Sequence, residues 1–117
     1  MGYYASGSGY IDVGSARPSE QALRDLAEHG GLGFRLMAPN KHFHFYTIDV
    51  LHEYGNYSEE EVIDFLSMAG RAFQILGGEI EFSGEDDSHW RFVWNGRDGR
   101  WYEQNGSIEY ESPGTAI

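Results

Sequence analysis

From Gly78 to Ser112 apolar and charged residues alternate through three turn signals. Ile80 and Phe82 alternate with Glu79 and Glu81. Trp90, Phe92 and Trp94 alternate with His89, Arg91 and Val93, and Ile108 and Tyr110 with Ser107, Glu109 and Glu111. A period of two between turns predicts strands with one apolar and one wet face. The turns are Gly84-Glu85-Asp86-Asp87-Ser88, Asn95-Gly96-Arg97-Asp98-Gly99 and Asn105-Gly106. The last has the residue types that a type I′ hairpin turn needs at positive φ.

Upstream the period changes. Ser58-Glu59-Glu60-Glu61 has capping-box spacing, and Val62, Phe65, Leu66, Ala69, Phe73 and Leu76 recur at intervals of three and four. That stripe predicts a helix facing a sheet and ended by Gly77-Gly78. Gly70 inside it weakens the helix, or lets a strand come close. A shorter helix is expected after Ser19, where Ala22, Leu23, Leu26 and Ala27 share a face and Gly30-Gly31 stops the run. Tyr3 to Val13 and Phe34 to Met37 read as strands, with a turn at Ala38 to Lys41. His42 to Leu51 is strand-like with apolar residues on both faces (Phe43, Phe45 and Leu51 against Tyr46, Ile48 and Val50), which predicts a central strand. Glu53 to Tyr57 reads as a loop and Ser112 to Ile117 as a frayed tail. The order β-α-β-α-β-β-β predicts a single α+β domain over residues 1–117. Its antiparallel sheet should have about five to six strands, with two helices packed on one face.

Composition narrows the function classes. The chain of 117 residues carries a net charge of −11 and no cysteine. Disulfides and thiolate metal sites are excluded, and a field of that sign disfavours direct binding to nucleic acid. The N-terminus has no basic, apolar signal pattern and no stretch has the length of a membrane span, so a cytoplasmic protein away from membranes is expected.

Gly55-Asn56-Tyr57-Ser58-Glu59-Glu60-Glu61-Val62, Glu79-Ile80-Glu81-Phe82-Ser83-Gly84-Glu85-Asp86 and Trp90-Arg91-Phe92-Val93 carry a resemblance. In these runs the chain resembles a group of small uncharacterised proteins of actinobacteria and their phages. The likeness covers Ile48 to Glu103 best and Gly2 to Val13 more thinly. It implies an α+β fold and a phage-linked or accessory setting, and brings no catalytic residues with it.

Candidate chemistry is sparse. His42 and His44 are two residues apart, and on one unbroken strand they would share a face with His52, as zinc ligands can. Asp49 would point the other way, so a carboxylate ligand would have to come from Glu53 or the acidic turn. The bland alternative is three strand histidines beside aromatics. Glu85, Asp86 and Asp87 lack the alternating ligand spacing of a calcium loop and read as solvated turn residues. Asp86, His89 and Arg91 could be assembled into acid–base roles, but an acidic chain with five histidines offers such triples by chance. There is no nucleophile elbow and no phosphate-binding loop. Gly7-Ser8-Gly9 departs from a dinucleotide fingerprint because Asp12 stands where the third glycine belongs. An enzyme is therefore not expected.

Trp90, Phe92, Trp94 and Trp101 could stack nucleobases, but Gly78 to Ser112 has nine acidic residues against three arginines, so core packing is the better reading. The expected function is a non-catalytic protein-interaction module. Its acidic surface would comprise Glu79, Glu81, Glu109 and Glu111, with Glu59 and Glu60. The four meander glutamates would form one patch if the first and last meander strands are neighbours, and such a patch could mimic nucleic acid. The alternative is a domain binding a divalent metal or small ligand through His42, His44 and His52. Pairing at a sheet edge would allow a homodimer.

Overall fold

A computed structural model describes residues 2–14, 16–29, 34–106 and 113–117. Its elements run β1 (Tyr3–Gly14), α1 (Glu20–His29), β2 (Phe34–Leu36), β3 (Asn40–Lys41), β4 (Phe45–Tyr57), α2 (Glu59–Ala72), β5 (Ile75–Gly84), β6 (His89–Asn95), β7 (Arg100–Asn105) and β8 (Thr115–Ala116). All strands join one antiparallel sheet in the order β2-β4-β1-β5-β6-β7-β8, with β3 also paired to β4. The expected α+β class stands, and among the described residues the sheet has eight strands instead of five or six. The extra strands are the two-residue pieces β3 and β8, too short to show any alternation in sequence. No described helix is long and apolar enough to cross a membrane.

β1 is the hub. It pairs with β4 from Tyr3↔Tyr57 to Gly14↔Phe45, and with β5 from Ala5↔Gly84 to Val13↔Ile75. Its odd positions face the core, where Ala5, Ile11 and Val13 are buried. Two register shifts preserve that division. β4 carries one extra residue between the Ala5 and Gly7 pairings, and β5 carries Leu76 as an extra residue between the Asp12 and Val13 pairings. Without such bulges a one-residue slip would turn the rest of each strand inside out.

The helices cover the core face. Ser58 caps α2 by accepting from the Glu61 amide at 3.3 Å, and Ser19 caps α1 by accepting from the Ala22 amide at 3.1 Å. Val62, Phe65, Leu66 and Ala69 of α2 and Leu26 of α1 are buried against Ile48, Val50, Ile80, Phe82 and Phe92. Each large side chain fully buried there contributes roughly 1.5–3 kcal/mol relative to leaving it in water. Trp90 and Trp101 are buried in the same cluster and Trp94 packs against it, so the tryptophans are core. Tyr102 takes the other face.

Several expectations are corrected. α2 ends at Ala72, and Phe73 is already extended (φ −135°, ψ 157°). Leu76, Gly77 and Gly78 thus belong to β5, where a Cβ on Gly78 would lie 2.6 Å from the Trp101 ring and 2.9 Å from the Tyr10 carbonyl. The glycine pair makes room within the sheet and does not stop the helix. Gly70, in contrast, is exposed, with nothing within 4 Å of a built Cβ, so it serves no close approach. Glu53 to Tyr57 continues β4 and is not a loop, because β1 pairs with it through Tyr3↔Tyr57. In the expected loose tail, Thr115 and Ala116 pair with Glu103 and Tyr102, and the Ile117 amide donates to the Trp101 carbonyl at 3.2 Å. The strand expected at Ile108 and Tyr110 lies outside the described residues.

Gly70→Ala is therefore expected to stabilise the fold by about 1 kcal/mol in urea unfolding. Gly78→Ala should destabilise it by about 1–3 kcal/mol through overpacking against Trp101. Equal effects of the two substitutions would contradict these assignments.

Candidate functional site

The side of the sheet away from the helices carries the even residues of β1 and their cross-strand partners. Tyr10 lies between Asp49 and Glu79, Ser8 between Leu51 and Glu81, and Asp12 opposite Thr47. Tyr4 and Tyr10 are about two-fifths exposed and Tyr54 more so, and Tyr4 and Tyr54 meet edge to face with centroids 5.7 Å apart. Among the described residues no element covers this face. Two shallow depressions mark it. One, of about 590 Å³, is lined by Ser6, Ser8, Glu53, Tyr54, Glu79 and Glu81 among others. The second, of about 830 Å³, shares Ser8 and Leu51 and continues over Tyr10, Asp12, Met37, Phe45 and Asp49.

Charge on this face is mixed but weighted to acid. Arg91 forms an ion pair with Glu79 at 3.3 Å, and Arg35 with Glu53. Asp12 accepts from the Thr47 hydroxyl at 2.7 Å, and Asp49 from the Asn40 amide at 3.1 Å. Asp12, Asp49, Glu53, Glu79 and Glu81 thus outnumber Arg35 and Arg91 across β2, β4, β1, β5 and β6.

Glu79 and Glu81 share this face, as the alternation implies. Glu59 and Glu60 do not join them, since they are exposed in the first turn of α2 on the helix side of the sheet. Glu109 and Glu111 lie outside the described residues. The neighbours of β5 are β1 and β6, and the last meander strand of the expected four-glutamate patch lies outside the described residues. The neighbours that enlarge the acidic face come instead from β1 and β4, through Asp12, Asp49 and Glu53. The signal that could have found them is the second apolar face of β4, where Phe45 and Leu51 line the depression and do not meet another layer.

The three histidines do not share a face. His42 to His44 form the turn of the β3–β4 hairpin, closed by the His42 amide donating to the Phe45 carbonyl at 2.8 Å. That turn breaks the strand on which the shared face depended. His42 stacks on Phe45 and lines the larger open depression. His44 is exposed beside Phe43, itself 89% exposed. His52 lies on the opposite side, 3% exposed in the core between Phe34 and Phe82, with ring centroids 4.9 and 5.7 Å away. Among the described residues no group of three or more His, Asp or Glu is placed to hold a metal ion. Asp86, His89 and Arg91 are likewise spent on structure. Asp86 accepts from the Tyr3 hydroxyl, His89 meets the Ser83 hydroxyl at 3.1 Å, and Arg91 donates to Gln104 at 2.6 Å. The bond to Asp86 holds the Tyr3 phenol above its ordinary pKa, and the same bond lowers that of Asp86.

No protein-family model, curated protein or solved structure matches the chain.

His52 makes a titration prediction. Burial lowers its pKa below 6.5, and its Nδ1 has no hydrogen-bond partner. The unfolded chain therefore takes up a proton near pH 6.5 that the folded chain refuses, so stability is full above that pH and falls as pH falls. Unfolding free energy should drop as pH falls below about 6.5, with a slope of at most about 1.4 kcal/mol per pH unit for one proton, and His52→Leu should remove most of that slope. An unchanged slope in His52→Leu would contradict the assignment. Zinc or nickel should leave the melting temperature unmoved, since a metal that binds only the folded chain must raise it; a saturable rise would revive the histidine reading.

Proposed function

We propose that the chain is a non-catalytic interaction module that binds another protein through the helix-free face of its sheet. The observation that carries this reading is the composition of that face. Exposed Tyr10, Met37 and Tyr54 are interleaved with carboxylates across the two depressions, and exposed Tyr4 stands against Tyr54. Aromatic and methionine side chains supply contact area at protein interfaces, and a surplus of one charge sign selects the partner and speeds encounter. The expected partner surface is basic with apolar gaps. The ion pairs of Arg35 and Arg91 interrupt the carboxylate rows, which favours such a mixed protein surface over close imitation of a phosphate backbone. The resemblance to phage and actinobacterial proteins supports an accessory setting in which the partner belongs to a host.

Charge reversal tests the reading. In affinity capture from the native host, Glu79→Lys with Glu81→Lys should release a partner that the parent chain retains. Glu59→Lys with Glu60→Lys, on the helix side, should keep it. Partners unaffected by the first pair and lost with the second would place the working surface on the helices and contradict the proposal.

A further inference from the structure

The larger depression on the open face has a chemistry narrower than that of the face as a whole. Its lining combines the aromatic groups of Tyr10 and Phe45 with Met37 and Leu51, and it contains Asp12 and Asp49. The two aspartates are diagonal neighbours on adjacent strands, because Asp12 pairs with Thr47 and Asp49 with Tyr10. Such positions lie roughly 7–8 Å apart on one face of a sheet. Each carboxylate is oriented by a neutral donor, the Thr47 hydroxyl on Asp12 and the Asn40 amide on Asp49. Those bonds fix geometry and leave both charges in place. No lysine or arginine lines the depression; His42 does, stacked on one face of Phe45 and leaving the other face of that ring. Lys41 pairs opposite Tyr46, which packs on the core side, and Arg35 pairs with Glu53.

Two oriented carboxylates on one face of neighbouring strands, beside aromatic rings, fit one planar cation with donors along two edges. A guanidinium bonds carboxylates in parallel pairs and stacks on aromatic faces, whereas an ammonium is a strongly hydrated point charge. We infer that this depression is an arginine-binding subsite, in which Asp12 and Asp49 bond one guanidinium from a partner protein between Tyr10 and Phe45. The inference rests on the reading of the open face as a binding surface, and it names the anchor that the partner would insert.

The test uses N-acetyl-arginine methylamide as probe against the isotope-labelled chain, followed by amide chemical shifts. Saturable shifts centred on Tyr10, Asp12, Asn40, Thr47 and Asp49 are expected. The uncharged citrulline analogue should bind at least about tenfold more weakly, since charge-assisted hydrogen bonds are lost. Asp12→Asn with Asp49→Asn should abolish the shifts while the dispersed spectrum of a folded chain persists. If that variant does not fold, the arginine and citrulline comparison on the parent chain decides alone. Equal binding of the two probes overturns the inference, as does the absence of saturable shifts. Shifts centred on Glu53, Glu79 and Glu81 overturn it too, but leave the open face as a binding surface. The failure of that broader reading shows separately, as retention of the host partner after charge reversal at Glu79 and Glu81.

Discussion

β1 is paired along nearly its whole length on both flanks, and every other feature of the molecule inherits its alternation. Its core-facing positions have to accept large side chains from the neighbouring strands. Gly7 shows how: a Cβ there would lie 2.5 Å from the Phe82 ring, so the missing side chain is the space that Phe82 fills. Phe82 in turn lies parallel to Trp90 and edge-on to Tyr57, and the Trp90 indole donates to the Tyr57 hydroxyl at 2.9 Å. Burial drives the Tyr57 phenol well above its ordinary pKa, so it remains a neutral member of that cluster. Gly7 of β1 and the aromatic residues of β5 and β6 are thus two halves of one packing solution.

The same alternation decides what is left for function. Because both helices take the core face, the even positions of β1 and their partners on β4 and β5 meet no other layer among the described residues. Their side chains are neither uniformly polar, as a solvated sheet face would be, nor apolar enough to form a second core. Tyrosines, a methionine and a leucine share the surface with carboxylates, two of which are paired with arginines. That mixture is what the proposed interaction surface would present to a partner. Outside it, Asp86 is bonded to Tyr3, and His52 is buried with its pKa lowered.

Much of the architecture was readable from residue spacing, because the spacing reflects the physical cause. The period of two at Ile80 and Phe82 and at Trp90, Phe92 and Trp94 placed those residues in the core. The Ser58 cap and the stripe from Val62 to Ala69 located α2. What misled were residues whose role depends on a partner distant in sequence. Gly77 and Gly78 look like a helix stop, yet they lie in β5 because β1 and Trp101 come close there. His42, His44 and His52 have the parity of one face only on an unbroken strand, and a turn at residues 42–45 removes that premise. The acidic face was half readable: Glu79 and Glu81 follow from local alternation, while Asp12, Asp49 and Glu53 join them through long-range pairings to which the second apolar face of β4 is the one local clue.

The most direct test of the central claim is hydroxyl-radical footprinting of the chain alone and bound to its captured partner, because tyrosine and methionine side chains report contact on both layers. If the helix-free face is the working surface, Tyr4, Tyr10, Met37 and Tyr54 lose reactivity on binding while Met68 of α2 keeps its own. Protection of Met68 with those four unchanged would contradict the account.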